Sequence, residues 1–290
     1  MKIALLQMTS GVDPAANAKT LAEAVAAAAA GGAVMLFTPE MSGLVDRDRA
    51  RASANIRSEQ EDICLAAVRE AAAKAGIWVH LGSLALKRPD GRFNNRGFVI
   101  DATGEIRARY DKLHLFDVDL PTGESWRESA VYARGEGATV VETPAGMLGP
   151  TICYDLRFAD LYRALSDAGA TVLAVPAAFT RPTGAAHWQT LLRARAIEAG
   201  AYVVAAAQTG EHEDGRATYG HSLVIDPWGE VLLDMGGKAG LGFADIDPAR
   251  VADVRSRIPV LSHRRSIPEV QVARCPEAEA ARCREAEAAR

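Results

Sequence analysis

Gly149-Pro150-Thr151-Ile152-Cys153-Tyr154-Asp155-Leu156-Arg157-Phe158 reads as an apolar strand that ends at a short elbow and leads into an amphipathic helix. The same grammar extends outward in both directions. Residues 3–6 are a short apolar run, Asp13-Pro14 supplies an N-cap with proline at the first helical position, and Gly31-Gly32 closes that helix. Residues 34–37 form the next buried strand, which ends at Thr38-Pro39-Glu40. Ser58-Glu59-Gln60-Glu61 reads as a capping box opening a second helix, which Gly76 ends before a strand over 77–82. Beyond the elbow, strand-helix units span 148–167 and 171–198, followed by a strand over 201–207. Two hairpins complete the pattern, one turning at Ala102-Thr103-Gly104-Glu105 and one at Asp226-Pro227-Trp228-Gly229-Glu230. Alternating units mixed with hairpins predict an α/β protein with helices packed outside mixed sheets. The polar connection over 116–137 is the exception, and loops of that length are usually functional or disordered.

Composition narrows the function. The 290 residues carry a net charge of −4, with 49% hydrophobic and 24% charged residues, an ordinary globular balance. No concentrated basic face is visible, which argues against a nucleic-acid partner. Four cysteines, Cys64, Cys153, Cys275 and Cys283, are too few for a disulfide framework and form no C-x-x-C pair. The opening MKIALLQM is too short for a signal peptide, and the Ala-rich run over 24–37 is too short for a membrane span. The expectation is a cytoplasmic protein without membrane contact. Near its end, ARCPEAEA at 273–280 is followed by ARCREAEA at 281–288, without a large apolar residue. Residues 266–290 are therefore expected to be a solvated tail, disordered or partly helical, outside a domain spanning 1–265.

Cys153 occupies the elbow. A helix N-terminus there would lower a thiol pKa and offer N–H groups to an oxyanion. The alternative is a buried cysteine acting as a small hydrophobe. His114, His187 and His221 are candidate bases, although none sits in a pattern typical of cysteine proteases. Glu40, at a strand's C-terminal end, is another candidate, its pKa expected to be raised by a dry pocket so that it can take a thiol proton. Its alternative is a solvated loop carboxylate. Lys112, in Tyr110-Asp111-Lys112-Leu113-His114-Leu115-Phe116-Asp117, also follows a strand and has a surface lysine as its alternative.

Together, Glu40, Lys112 and Cys153 resemble the Glu-Lys-Cys triad of the nitrilase superfamily of carbon–nitrogen hydrolases. Phe-Thr-Pro-Glu-Met at 37–41, Cys-Tyr-Asp-Leu-Arg-Phe at 153–158, Pro-Ala-Ala-Phe-Thr at 176–180, Tyr-Gly-His-Ser at 219–222 and Asp-Pro-Trp-Gly at 226–229 carry the likeness to about Arg265. The chain is most similar to the Nit branch, amidases acting on deaminated glutathione or on the ω-amide of 2-oxo acids. Residues 206–213 and 216–222 look more like the deaminated-glutathione side. The ω-amidases differ there and usually have Asn where Thr180 stands.

The resemblance implies a four-layer α-β-β-α sandwich, a homodimer packed through outer helices, and no metal or organic cofactor. It implies that Cys153 attacks the amide carbon, Glu40 shuttles the proton, and Lys112 with the Tyr154 backbone N–H holds the oxyanion. The products would be acid and ammonia, by way of a thioester. Glu128, in Trp126-Arg127-Glu128-Ser129, matches a second family glutamate that supports the lysine, with Glu124 as the competing choice. An anionic substrate calls for a guanidinium, and Arg157, four residues after Cys153, can supply it. A helix-surface salt bridge is its alternative, and Thr180 is a further pocket candidate. The rival functions are a nitrilase, an N-carbamoyl hydrolase, or a non-catalytic scaffold with a redox-sensitive Cys153.

Overall fold

The computed structural model describes residues 1–119, 123 and 125–272. Glu124 and the repeat at 273–290 lie outside the described residues. Six helices are present among the described residues: α1 (Pro14–Ala30), α2 (Arg49–Asn55), α3 (Ile63–Ala75), α4 (Ala159–Asp167), α5 (Arg181–Ala199) and α6 (Pro248–Arg257). Two six-stranded sheets share one plan. The first runs, in spatial order, Gly240–Asp245, Lys2–Gln7, Met35–Phe37, Trp78–Lys87, Phe93–Ile100 and Ile106–Asp111. Its second to fourth strands are parallel and its outer ones antiparallel. The second sheet runs Val231–Asp234, Leu223–Ile225, Tyr202–Ala205, Val172–Ala174, Gly146–Pro150 and Val141–Thr143, with the parallel strands again at the centre.

The alternation of side chains along each strand builds the layers. Ile3, Leu5, Met35 and Phe37 of the first sheet pack with Leu148, Val172, Val204 and Val224 of the second, forming the core between sheets. Ala4, Leu6, Leu36 and Val79 face the other way, against Leu21 and Val25 of α1 and Leu65 and Val68 of α3. Leu173, Val203 and Ile225 face Leu161 and Leu165 of α4 and Trp188 and Leu192 of α5. The result is the four-layer α-β-β-α sandwich.

Local readings hold in part. Asp13 caps α1 through Ala15 N, with Pro14 at the first position, and Gly76 ends α3 at φ +66°. The capping box at 58–61 is a correction. Ser58 Oγ bonds Glu61 Oε2, and the helix starts later, where Asp62 Oδ1 accepts from Leu65 N at 2.8 Å. The connection over 116–137 holds a short hairpin, Asp117–Asp119 with Ser125–Arg127, and a 3₁₀ turn over Glu128–Ala130.

Candidate active site

Three chain segments end at one place. The Met35–Phe37 strand runs out into Thr38-Pro39-Glu40, close against its neighbour. A Cβ on Gly82 would lie 2.1 Å from Thr38 O, so only glycine permits this approach. Gln208 then fixes the Glu40 backbone by donating from Nε2 to Glu40 O at 3.0 Å, and the chain turns through Met41 at φ +54°. Lys112 follows the Ile106–Asp111 strand, whose last carboxylate is gripped by Arg96 through two 2.7 Å bonds, and Lys112 N donates to Asn95 O at 3.0 Å. Cys153 follows the Gly146–Pro150 strand.

The elbow at Cys153 is tighter than the sequence suggests. Cys153 has φ +50°, a left-handed conformation unfavourable for a side chain with a Cβ, and its N–H donates to Pro176 O at 2.9 Å. An α-helix cannot begin there. Cys153–Arg157 form a 3₁₀ turn, and α4 starts only at Ala159. The turn is held from beneath by Asp155, which is fully buried. Its Oδ2 accepts from Tyr110 Oη at 2.8 Å and Ile152 N at 2.9 Å. Its Oδ1 accepts from His114 N at 3.0 Å and faces His114 Nδ1 at 2.7 Å.

The side chains meet in a nearly closed space. Lys112 Nζ donates to Glu40 Oε1 at 2.9 Å and to Glu128 Oε2 and Oε1 at 2.9 and 3.1 Å. Asn95 Nδ2 bridges the same two carboxylates, 2.9 Å from Glu40 Oε1 and 3.1 Å from Glu128 Oε1. Ala178 N donates to Glu40 Oε2 at 3.0 Å, and Phe116 N to Glu128 Oε2 at 2.7 Å. Lys112, Glu40 and Cys153 are 2%, 4% and 9% exposed, so bulk water screens them little.

Protonation follows from this packing. Burial pulls the Glu40 carboxyl up. The Lys112 charge, with hydrogen bonds from Lys112 and Asn95, outweighs burial and holds Glu40 below the ordinary carboxylate range. The raised value expected from a dry pocket is thus corrected, because the pocket is dry but not uncharged. Burial likewise opposes the Lys112 ammonium, and Glu128 and Glu40 hold it well above its usual value. For Cys153, burial and then the Glu40 charge push the thiol well above its ordinary value, against the pull of Lys112. No helix N-terminus lowers it. The packing therefore favours a protonated thiol and an ionised carboxylate, a pairing suited to proton transfer concerted with attack.

The remaining sequence candidates divide. The Tyr154 ring packs edge-on against Phe116 and Phe158 at 5.0 and 5.3 Å. Its N–H donates to no acceptor among the described residues. Arg157 NH2 lies 3.2 Å from His187 Nδ1, and its guanidinium lies 5.8 Å from the Phe179 ring centroid. Arg157 forms no salt bridge among the described residues, so the alternative of a surface ion pair does not hold. Thr180 precedes α5 and its Oγ1 lies 2.8 Å from Thr183 Oγ1. His114 is engaged by Asp155 and stacked on Phe158, and His221 faces Asp234. Neither faces the thiol as a base.

Sequence reasoning missed Asn95, Asp155 and Gln208. The only signal was a polar residue inside an otherwise apolar run, as in Asn94-Asn95 before Gly97-Phe98-Val99-Ile100. Among the described residues no group of three or more His, Cys, Asp or Glu is placed to hold a metal ion. None of the described helices is long and apolar enough to cross a membrane.

Comparison with known proteins shows the family and the fold. The family model described as carbon-nitrogen hydrolase matches residues 2–256. The nitrilase and fragile histidine triad fusion protein NitFhit of Caenorhabditis elegans is 42% identical over 274 residues, 91% of this chain and 60% of the fusion. Its crystal structure superposes with a TM-score of 0.84 at 40% identity, covering 91% of this chain and 65% of that one. This chain thus spans less than two thirds of the fusion. Deaminated glutathione amidase of Yersinia enterocolitica is 37% identical over 269 residues, 91% of this chain and 93% of that protein. The human deaminated glutathione amidase is 40% identical over 268 residues, 91% of this chain and 82% of that one.

Proposed function

Since the chain belongs to the carbon-nitrogen hydrolase family, we propose that it is an amidase that cleaves deaminated glutathione, a small anionic 2-oxo-acid amide, through a Cys153 thioester. The observation that carries this reading is the contact set around Lys112, which leaves Glu40 ionised and the Cys153 thiol protonated beside it. Glu40 takes the thiol proton as Cys153 Sγ bonds to the amide carbon. The carbonyl oxygen becomes an oxyanion, held by the Lys112 ammonium and the free Tyr154 N–H. Glu40 returns its proton to the amide nitrogen, and the C–N bond breaks to leave a thioester. A water then gives its proton to Glu40 and attacks the same carbon; sulfur departs and recovers the proton. Glu128 holds Lys112 in place throughout, and Asn95 holds both carboxylates.

The leaving group depends on the amide. In deaminated glutathione an oxo group replaces the amine, and the scissile amide joins the 2-oxoglutaryl group to cysteinylglycine. The dipeptide departs, whereas ammonia, the product expected from sequence, departs from a primary amide such as 2-oxoglutaramate. Arg157, without a carboxylate partner and stacked over Phe179, binds the carboxylate of the 2-oxo acid, and Thr180 borders that pocket. A redox-sensor role fits poorly, because such sensors need a low thiol pKa and burial pushes this one up.

The reading extends to the whole chain. Residues 1–265 form the hydrolase domain. The protein acts as a homodimer in the cytoplasm, where its thiol stays reduced. Ile258, 48% exposed after α6, supports the dimer, because the described residues leave about half of it uncovered. A single monomeric species by light scattering overturns that part.

Both candidate substrates release 2-oxoglutarate, which gives one assay for both. The wild type is expected to prefer deaminated glutathione and Cys153→Ala to be inactive. Preference for 2-oxoglutaramate would make the protein an ω-amidase with the same machinery. Silence on both, with hydrolysis of a nitrile or an N-carbamoyl acid instead, would overturn the substrate class.

A further inference from the structure

The aromatic wall beside Cys153 continues past Tyr154. Phe116 lies between Tyr154, at 5.0 Å, and Trp126, at 6.3 Å. Trp126 is two residues before Glu128, on the inward face of the Ser125–Arg127 strand. Its indole Nε1 is buried and donates to no acceptor among the described residues. Native proteins match nearly all buried donors, so an orphan in a site wall points to a partner that arrives with the ligand. Arg216 also packs on Trp126, its guanidinium 5.7 Å from the ring centroid. Asp214 fixes Arg216 through Nε at 2.6 Å, and the two terminal nitrogens donate to nothing among the described residues. The hairpin bearing Arg216 is joined to the Phe179–Thr180 corner by Tyr219 N donating to Phe179 O at 3.0 Å and by the bridge between Thr218 and Thr180.

We propose that Trp126 and Arg216 form a second subsite, which holds the carboxylate at the departing end of an extended amide substrate. The inference rests on the functional reading above and deepens it. Deaminated glutathione is anionic at both ends, with the scissile amide between them. Arg157 serves the 2-oxo-acid end and cannot also reach the glycine carboxylate of the departing dipeptide. Arg216 offers the planar two-nitrogen edge that matches a carboxylate, Asp214 fixes the orientation of that edge, and Trp126 adds a third donor. 2-Oxoglutaramate has no departing carboxylate, so this pair sets the choice between the two substrates. Arg216 also lies in the stretch, 216–222, by which the sequence resembles the deaminated-glutathione amidases.

The test compares kcat/KM for deaminated glutathione, for its C-terminal glycine carboxamide and for 2-oxoglutaramate. In Arg216→Gln the ratio of kcat/KM for deaminated glutathione over 2-oxoglutaramate is expected to fall about 10- to 100-fold, mostly through KM. Trp126→Phe should lower the same ratio by less. The wild type should handle the carboxamide worse than the acid by a similar factor, and Arg216→Gln should no longer distinguish them. This wild-type comparison needs no variant to fold. A ratio within twofold of wild type in Arg216→Gln, or equal wild-type rates on acid and carboxamide, would overturn the subsite and leave the amidase reading intact. A wild type silent on both substrates would overturn both.

Discussion

The backbone N–H of Ala178 donates to Glu40 Oε2 at 3.0 Å, joining the end of the second sheet to the end of the first. The opposite oxygen, Oε1, accepts from both Lys112 Nζ and Asn95 Nδ2. The carboxylate is therefore asymmetric: Oε1 accepts from two side-chain donors and Oε2 from one backbone donor, which in the proposed mechanism leaves Oε2 the oxygen with room for the thiol proton. Glu40 follows a strand of the first sheet and Cys153 one of the second, so the proposed transfer depends on the two sheets packing together.

Glu40→Gln should keep most of this shape and remove the proposed base. We expect kcat to fall about 10²- to 10⁴-fold and alkylation of Cys153 by iodoacetamide to slow in parallel. In the wild type the sign of the pH dependence follows from the shifts. Glu40 loses its function when protonated, and its value is held below the ordinary 4.5, so the acid limb of kcat/KM should lie below that value. Lys112 is held well above 10.5, so the oxyanion donor should survive into strongly alkaline solution. An acid limb near neutrality would contradict the charge network.

Asp155→Ala should damage stability and rate together. The substitution leaves the buried Ile152 N–H and Tyr110 hydroxyl, and the part-buried His114 N–H, without their acceptor. Loss of a buried charged acceptor costs about 3–5 kcal/mol, read as a lower urea midpoint. Because Ile152 precedes the strained Cys153, kcat should also fall in the protein that remains folded. Asp155→Asn, which can still accept, should recover part of the stability.

Arg157→Ala should raise KM for the 2-oxo-acid amide about 10- to 100-fold with a smaller change in kcat, as expected for loss of a charge-assisted pair. Arg157→Lys should recover little, because an ammonium cannot present two parallel donors. Steady-state kinetics of both variants decides this. A fall confined to kcat would place Arg157 near the reacting bond instead.

Much of this was legible in the sequence where the signal is local. Strands of four apolar residues, Asp13-Pro14 at a helix start and Gly76 at a helix end express backbone preferences that need no distant partner. The capping box at 58–61 failed because Glu61 took the Ser58 hydroxyl, leaving Asp62 to cap. Helix α2 was not read because none of its residues is buried, so it carries no periodic pattern. The ends of three strands pointed to Glu40, Lys112 and Cys153, but their protonation did not follow from position. It depends on Asn95, Glu128 and Ala178, which approach from separate parts of the chain. Asp155 was equally hidden, since its partners Tyr110 and His114 come from more than forty residues away.

His80 illustrates a cost that the core carries without an evident catalytic return. It is 1% exposed on the Trp78–Lys87 strand, beside Phe37 at 5.7 Å between ring centroids, and neither ring nitrogen has a partner among the described residues. Burial pushes its value down to about 3 from 6.5, so it sits neutral in the fold. A group depressed on folding contributes stability above its unfolded value, and that contribution is lost as pH falls through the folded one. The window is therefore pH 6.5 down to about 3. His80→Leu should be neutral or stabilising at pH 7.5, because it removes two unmatched polar atoms. Below pH 6.5 the variant should gain on the wild type by roughly 1.4 kcal/mol per unit at most. Urea midpoints at pH 7.5, 5.5 and 4.5 measure the gap. A gap that stays constant across these conditions would mean that His80 takes up its proton inside the folded protein.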